Sequence, residues 1–152
     1  MCSDTFFHFL LEKSESVRLL ICQSLIEDHQ IVETVLENTE FYGTDTAGKK
    51  MVLDIVTKDE EGCIYNIEMQ VGSIDENDFI RFQCYGTKRL QTQEKRGMDY
   101  HTIHNMYQLI ISDKNIKELS HYQHDFDMYD YQHGVILPYH KIHMRIIQLP
   151  KI

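Results

Sequence analysis

Three residues carry the clearest prospect of chemistry in this chain: Asp54, Glu68 and Gln70. They lie in residues 51–71, MVLDIVTKDEEGCIYNIEMQV, which reads as two short strands joined by a tight turn. The first, Met51 to Thr57, is mostly apolar and holds one acid, Asp54. The turn, Lys58 to Gly62, is polar and contains the glycine that a tight turn favours. The second strand, Cys63 to Val71, alternates. Tyr65, Ile67, Met69 and Val71 point one way, and Asn66, Glu68 and Gln70 the other. With the turn centred near residue 61, Asp54 falls opposite Glu68 or one place from it, and Gln70 follows on the same face. Acids in apolar strands are costly unless paired, hydrogen-bonded or metal-bound. Residue chemistry alone leaves two readings: a carboxylate pair that holds a cation, or a polar cross-strand patch with no catalysis.

The flanking elements must position this hairpin. Residues 4–28 predict a helix, with Phe6, Phe9, Leu10, Leu20 and Leu25 near helical spacing and no Gly or Pro to interrupt. Glu12 and Glu15 on it read as a solvated face. Residues 30–42 predict a strand with Ile31, Val35 and Phe41 packed, and Gly43 to Lys50 a polar turn into the hairpin. After it, Asp75 and Asn77 are cap candidates for a helix over 78–95 that Gly97 ends. Phe79, Phe82 and Leu90 give that helix an apolar side. Arg81, Tyr85, Lys88 and Thr92 share another face. Met106 to Ser112 is an apolar run of the buried-strand type. Residues 121–134, rich in His, Tyr and Asp, read as loop or irregular structure, and Lys141 to Leu149 as a further strand. The order is α-β-β-β-α-β, which implies an α/β (α+β-like) mixed sheet with helices on its faces.

Composition bounds the function. The chain has 152 residues, 42% hydrophobic and 26% charged, which fits one domain with its own core. No apolar run approaches the roughly 20 residues of a membrane span, and no basic segment leads into an apolar one at the N-terminus. Cys2, Cys22, Cys63 and Cys84 are scattered, as reduced cytoplasmic thiols would be. The net charge of −9 counts against nucleic-acid binding, which wants a basic surface. From Asp78 to Arg96, however, five basic residues (Arg81, Lys88, Arg89, Lys95, Arg96) outnumber two acids (Asp78, Glu94).

The pattern of Asp54, thirteen residues, then Glu68-Met69-Gln70 resembles the PD-(D/E)xK nuclease superfamily. It looks most like the recombination-promoting nuclease and transposase branch, in which Gln commonly replaces the motif Lys. The residues that carry the resemblance are LDIVTKDEEGCIYNIEMQ (53–70), RFQCYGTKRLQTQEKRGMDY (81–100) and QLPK (148–151). It implies a restriction-endonuclease-like αβββαβ core, with residues 1–152 as one nuclease-like domain. Because further helices usually follow the LPK-like segment in that family, the chain is expected to be a short or truncated member. The implied activity is Mg²⁺- or Mn²⁺-dependent hydrolysis of DNA phosphodiesters. Asp54, Glu68 and the Met69 backbone carbonyl would hold the metal, and Gln70 would orient the attacking water. Arg81, Tyr85 and Lys88 would hold the DNA backbone, although an ordinary charged helix face fits them equally. DNA is the expected partner, a homo-oligomer is left open, and the compartment is the cytoplasm.

Two other readings stand beside the nuclease. One is a catalytically inactive module that keeps the fold and binds nucleic acid or a protein partner, favoured by the acidic total and by Gln70. The other is a nuclease active only as an oligomer. His101/His104, His121/His124 and His140/His143 each have i, i+3 spacing. Zinc is nevertheless not expected, because no Cys lies near them and i and i+3 on the strand expected at 141–149 would face opposite ways.

Overall fold

The computed structural model describes residues 4–26, 31–37, 40–41, 51–52 and 55–152. Asp54 and the turn expected over 43–50 lie outside the described residues. Two helices come first, α1 (Asp4–Lys13) and α2 (Glu15–Leu25). Five strands follow: β1 (Thr34–Leu36), β2 (Glu40–Phe41), β3 (Met51–Val52), β4 (Ile55–Asp59) and β5 (Ile64–Gln70). Helix α3 (Glu76–Gln91) then leads to β6 (Met106–Ser112). The last strands are β7 (Gln123–Phe126), β8 (Tyr129–Asp130), β9 (Val135–Ile136) and β10 (Ile142–Gln148).

Six strands form one mixed sheet in the order β1-β4-β5-β6-β10-β7, and β2–β3 and β8–β9 form separate pairs. The hairpin β4–β5 is antiparallel, with Ile55 opposite Ile67 and Val56 opposite Asn66. Strands β5, β6 and β10 run parallel, with Glu68 beside Ile110 and Ile110 beside Ile146. Helix α3 is the crossover between β5 and β6 that a parallel pair requires. The mixed sheet and its helices match the restriction-endonuclease-like αβββαβ architecture expected from the sequence, with β10 and β7 added beyond β6.

Both faces of the central strands are covered. On one face Leu11 of α1 and Cys22 of α2 pack with Ile31 against Tyr65, Ile67, Met69, Leu109 and Ile111. On the other, α3 lays Phe82, Tyr85 and Leu90 over Val56, Ile64, Met106, Ile110 and Ile146. The alternation along β5 therefore sorts side chains between two buried layers, as expected for a parallel strand inside a sheet. Glu68 falls in the layer under α3.

Several expectations are corrected by the local chemistry. The single helix expected over 4–28 breaks at Ser14, whose hydroxyl accepts the Val17 N–H (3.4 Å) and caps α2. Buried Arg18 then donates to the Leu11 (2.6 Å) and Glu12 (3.3 Å) carbonyls, satisfying the C-terminal end of α1. The strand expected over 30–42 is β1 and β2, with Ile31 buried but Val35 exposed. Helix α3 starts two residues earlier than expected and stops at Gln91 rather than 95. Asp75 is its cap, in a reciprocal capping box with Asp78. Residues 121–134 are not a loop: β7 pairs antiparallel with β10, and β8 begins a hairpin.

Candidate active site

Glu68 and Gln70 sit at the carboxyl end of β5, the end of a parallel strand where α/β sheets bind ligands. The Glu68 side chain is only 2% exposed, and its buried charge is held by two neighbours. Gln70 Nε2 donates to Glu68 Oε1 (2.6 Å), and Arg81 Nη2 lies 3.3 Å from the same oxygen. Arg81 Nη2 also donates to Gln70 Oε1 (2.9 Å), so the amide bridges the acid and the guanidinium. Alternation along β5 puts Glu68 and Gln70 on one face, and the Asp75 cap fixes where α3 begins and delivers Arg81 above them. Asp78 Oδ1 accepts a further ion pair from Arg81 (3.1 Å), a contact that sequence spacing could have suggested.

The guanidinium lies 5.4 Å from the Phe82 ring centroid and 5.8 Å from that of Tyr85. Arg81 is thus seated on aromatic faces with its charge turned to the acid. Tyr85 supports it from half-buried packing against the core. Lys88 is half-buried on the same helix, seven residues beyond Arg81. The Met69 thioether points into the opposite core layer, as alternation demands, and only its backbone belongs to the Glu68 neighbourhood. The structure therefore brings together Glu68, Gln70, Arg81 and Tyr85. Asp54 lies outside the described residues.

Beyond Gln70, Asp113 closes the strand end. Its backbone N–H donates to the Gln70 carbonyl (3.1 Å) and its carboxylate accepts the Gly72 N–H (2.8 Å). That hydrogen bond holds the Asp113 carboxyl below the usual carboxylate range.

The sequence model of the PD-(D/E)XK nuclease family transposases matches residues 3–152. The chain belongs to this family. No curated protein and no solved structure matched the chain. Membership in a PD-(D/E)XK nuclease family gives a nuclease- or transposase-type function, with DNA as the substrate that such a function implies. PD-(D/E)XK nucleases generally use divalent metals, and Glu68 offers the hard oxygen donor that such an ion prefers. No described helix of this family member is long and apolar enough to cross a membrane.

A second polar cluster lies on the other face of the sheet; sequence spacing offered its His140/His143 pair but neither Asp127 nor the meeting of the two rings. Strand β10 begins at Ile142, so His140 precedes the strand and is free of its alternation. The two rings that were expected to face apart meet at 4.4 Å between centroids. Asp127, between β7 and β8, joins them. Its Oδ1 is 3.1 Å from His140 Nε2 and 2.9 Å from His143 Nδ1. Burial pushes the His143 imidazole below its ordinary pKa, against the pull of Asp127.

Proposed function

We propose that the chain is a divalent-metal-dependent DNA endonuclease acting through Asp54, Glu68 and Gln70, with Arg81, Tyr85 and Lys88 beside them. The observation that carries this reading is Glu68, a buried carboxylate at a parallel strand end within reach of Gln70 and Arg81. The sequence spacing, which sets Asp54 opposite Glu68 or one place from it, supports Asp54 as the second acid. Asp54, Glu68 and the Met69 carbonyl are the oxygen donors that would hold Mg²⁺ or Mn²⁺. When bound, such an ion lowers the pKa of its water and stabilises charge building on phosphorus.

The protein residues then have distinct tasks. Gln70 can orient a water through its amide, but it is neutral and cannot remove the proton. Arg81 can exchange its contact with Glu68 for a bidentate contact with a phosphate, the geometry for which guanidinium is suited. Tyr85 keeps Arg81 aimed, and Lys88 adds a cation along the same face.

One observation favours the second reading. The Arg81 guanidinium already pairs with Glu68, so the polar cluster is internally compensated as a nuclease-fold binding module would be. Nicking of supercoiled plasmid separates the two, with Mg²⁺ or Mn²⁺ at salt low enough for binding. The endonuclease reading expects wild-type cleavage and losses of about 10²-fold or more in Asp54→Asn and Glu68→Gln, with DNA binding retained. Bound but uncut DNA with wild type establishes the module instead, and equal nicking by Glu68→Gln overturns the role of Glu68.

A further inference from the structure

We propose that Asp127, His140 and His143 form a binding site for one divalent transition-metal ion of the zinc class, separate from the Glu68 site. The three facing atoms make a small triangle: 3.1 and 2.9 Å from Asp127 Oδ1 to the two rings, and 3.1 Å between His140 Nε2 and His143 Nδ1. Ligands about 2.0–2.2 Å from one zinc ion lie roughly 3.3–3.6 Å apart in a tetrahedral shell, so the triangle needs to open by only about half an ångström to take an ion. Among the described residues this is the one group of three potential ligating side chains that converges so closely.

The hydrogen bonds supply an independent argument. His140 Nδ1 lies 2.8 Å from the Leu137 carbonyl. A carbonyl oxygen only accepts, so Nδ1 donates to it and Nε2 is the nitrogen turned toward the triangle. Nε2 there faces a carboxylate oxygen and a second ring nitrogen, three atoms that one cation can take together as ligands. A ring nitrogen that donates to a backbone carbonyl while its partner nitrogen ligates is also the usual outer arrangement of a metal-bound histidine.

The neighbouring structure fixes the second ring. His143 stacks on Tyr107 (4.8 Å between centroids, 16° between planes), and Tyr107 stacks on Tyr65 (5.2 Å, 15°). This row crosses β10, β6 and β5 on the face opposite Glu68. A cavity of about 250 Å³ beside Asp127 and His143 leaves room for water in the remaining coordination position. Two nitrogens and one carboxylate oxygen suit Zn²⁺, whereas Mg²⁺ prefers an all-oxygen shell. An ion here would clamp the β7–β8 link to the start of β10 and so fix the base of the β8–β9 hairpin.

The test uses the full chain, stripped with a chelator that is then removed. With millimolar Mg²⁺ present throughout to fill the Glu68 site, zinc titration by calorimetry should give one site per chain, and a hundredfold excess over Kd should raise Tm by about 5–10 °C. Mg²⁺ should not compete. Asp127→Asn and His140→Gln should each weaken zinc binding by about a hundredfold or more with an unchanged far-UV spectrum, while Glu68→Gln should keep the full stoichiometry. X-ray absorption of the zinc-loaded wild type should show two imidazoles and no sulfur, which holds even if a variant fails to fold. No saturable binding by wild type, undiminished binding by both variants, or sulfur in the shell would overturn the site.

Discussion

At the residue scale, Gln70 is held as a bridge, donating to Glu68 and accepting from Arg81. Gln70→Lys would set an ammonium beside the Glu68 carboxylate and repel the Arg81 guanidinium. Arg81 is then freed for phosphate, and a cation stands where negative charge develops. The expected result is plasmid nicking raised by about tenfold, the scale of 1–2 kcal/mol of added charge stabilisation. A lower rate with undiminished DNA binding would mean that the amide itself is what the site requires. A second expectation concerns the metal. Mg²⁺ should raise Tm in wild type and not in Asp54→Asn, because an ion that binds only the folded chain stabilises it by mass action; equal shifts by differential scanning fluorimetry count against Asp54 as a ligand. Glu68 and Gln70 were legible in the sequence because a polar residue in an apolar strand stands out against a period of two. The Asp127 cluster was not, because its members meet only through a hairpin that the sequence pattern does not announce, and because His140 escapes the strand periodicity by two residues.

At the element scale, the β4–β5 turn is organised by one buried acid. Asp59 accepts the N–H groups of Glu61 (3.0 Å) and Cys63 (2.9 Å) and the hydroxyl of Tyr65 (2.7 Å). Gly62 completes the turn at φ +91°, and a Cβ there would lie 2.8 Å from the His104 ring. Gly62→Ala is therefore strained by its backbone and by its neighbour, and should lower stability by about 1–3 kcal/mol in urea unfolding. A loss below about 0.5 kcal/mol would show that the turn can relax. The hairpin and α3 were readable because turn glycine, alternation and cap residues agree with one another. The break at Ser14 was missed because apolar spacing continues across it, and the Ser14 cap together with the buried Arg18 reaching back to the Leu11 carbonyl makes two helices stable there. Strand β7, QHDF, was missed because it is a short edge strand whose Asp125 ion-pairs with Arg145 at the rim; it has little apolar pattern to read.

At the scale of the whole molecule, the αβββαβ order was legible because long periodic segments survive local error, and the parallel core follows from it. That core also hides titratable groups. Burial pushes the Cys22 thiol up to about 12 and the Cys63 thiol up to about 11, and raises Tyr65 through burial and its hydrogen bond to Asp59. Each is an acid whose folded pKa exceeds its unfolded one, so the unfolded chain loses protons first as pH rises. Their contribution is whole below about pH 9 and is lost as pH climbs toward 12. For fully buried Cys22, the rise from 9.0 to about 12 is worth roughly 4 kcal/mol. Urea midpoints should fall across pH 9–11.5 under reducing conditions, and Cys22→Ala should flatten the decline; an unchanged slope would show that Cys22 is not a source of it.

The parallel placement of β6 between β5 and β10 also has a kinetic consequence. Strands β4 and β5 meet across a turn of a few residues, but Ile64 meets Met106 only after α3 has been laid down, and Ile142 meets Met106 only after the whole β7–β9 excursion. Loop-closure entropy is paid before such distant pairings return any energy. The hairpin should therefore be formed in the folding transition state, and the β6–β10 ladder should close after it. On that ordering, Gly62→Ala slows folding, while Ile146→Val leaves the folding arm of the chevron in place and speeds unfolding.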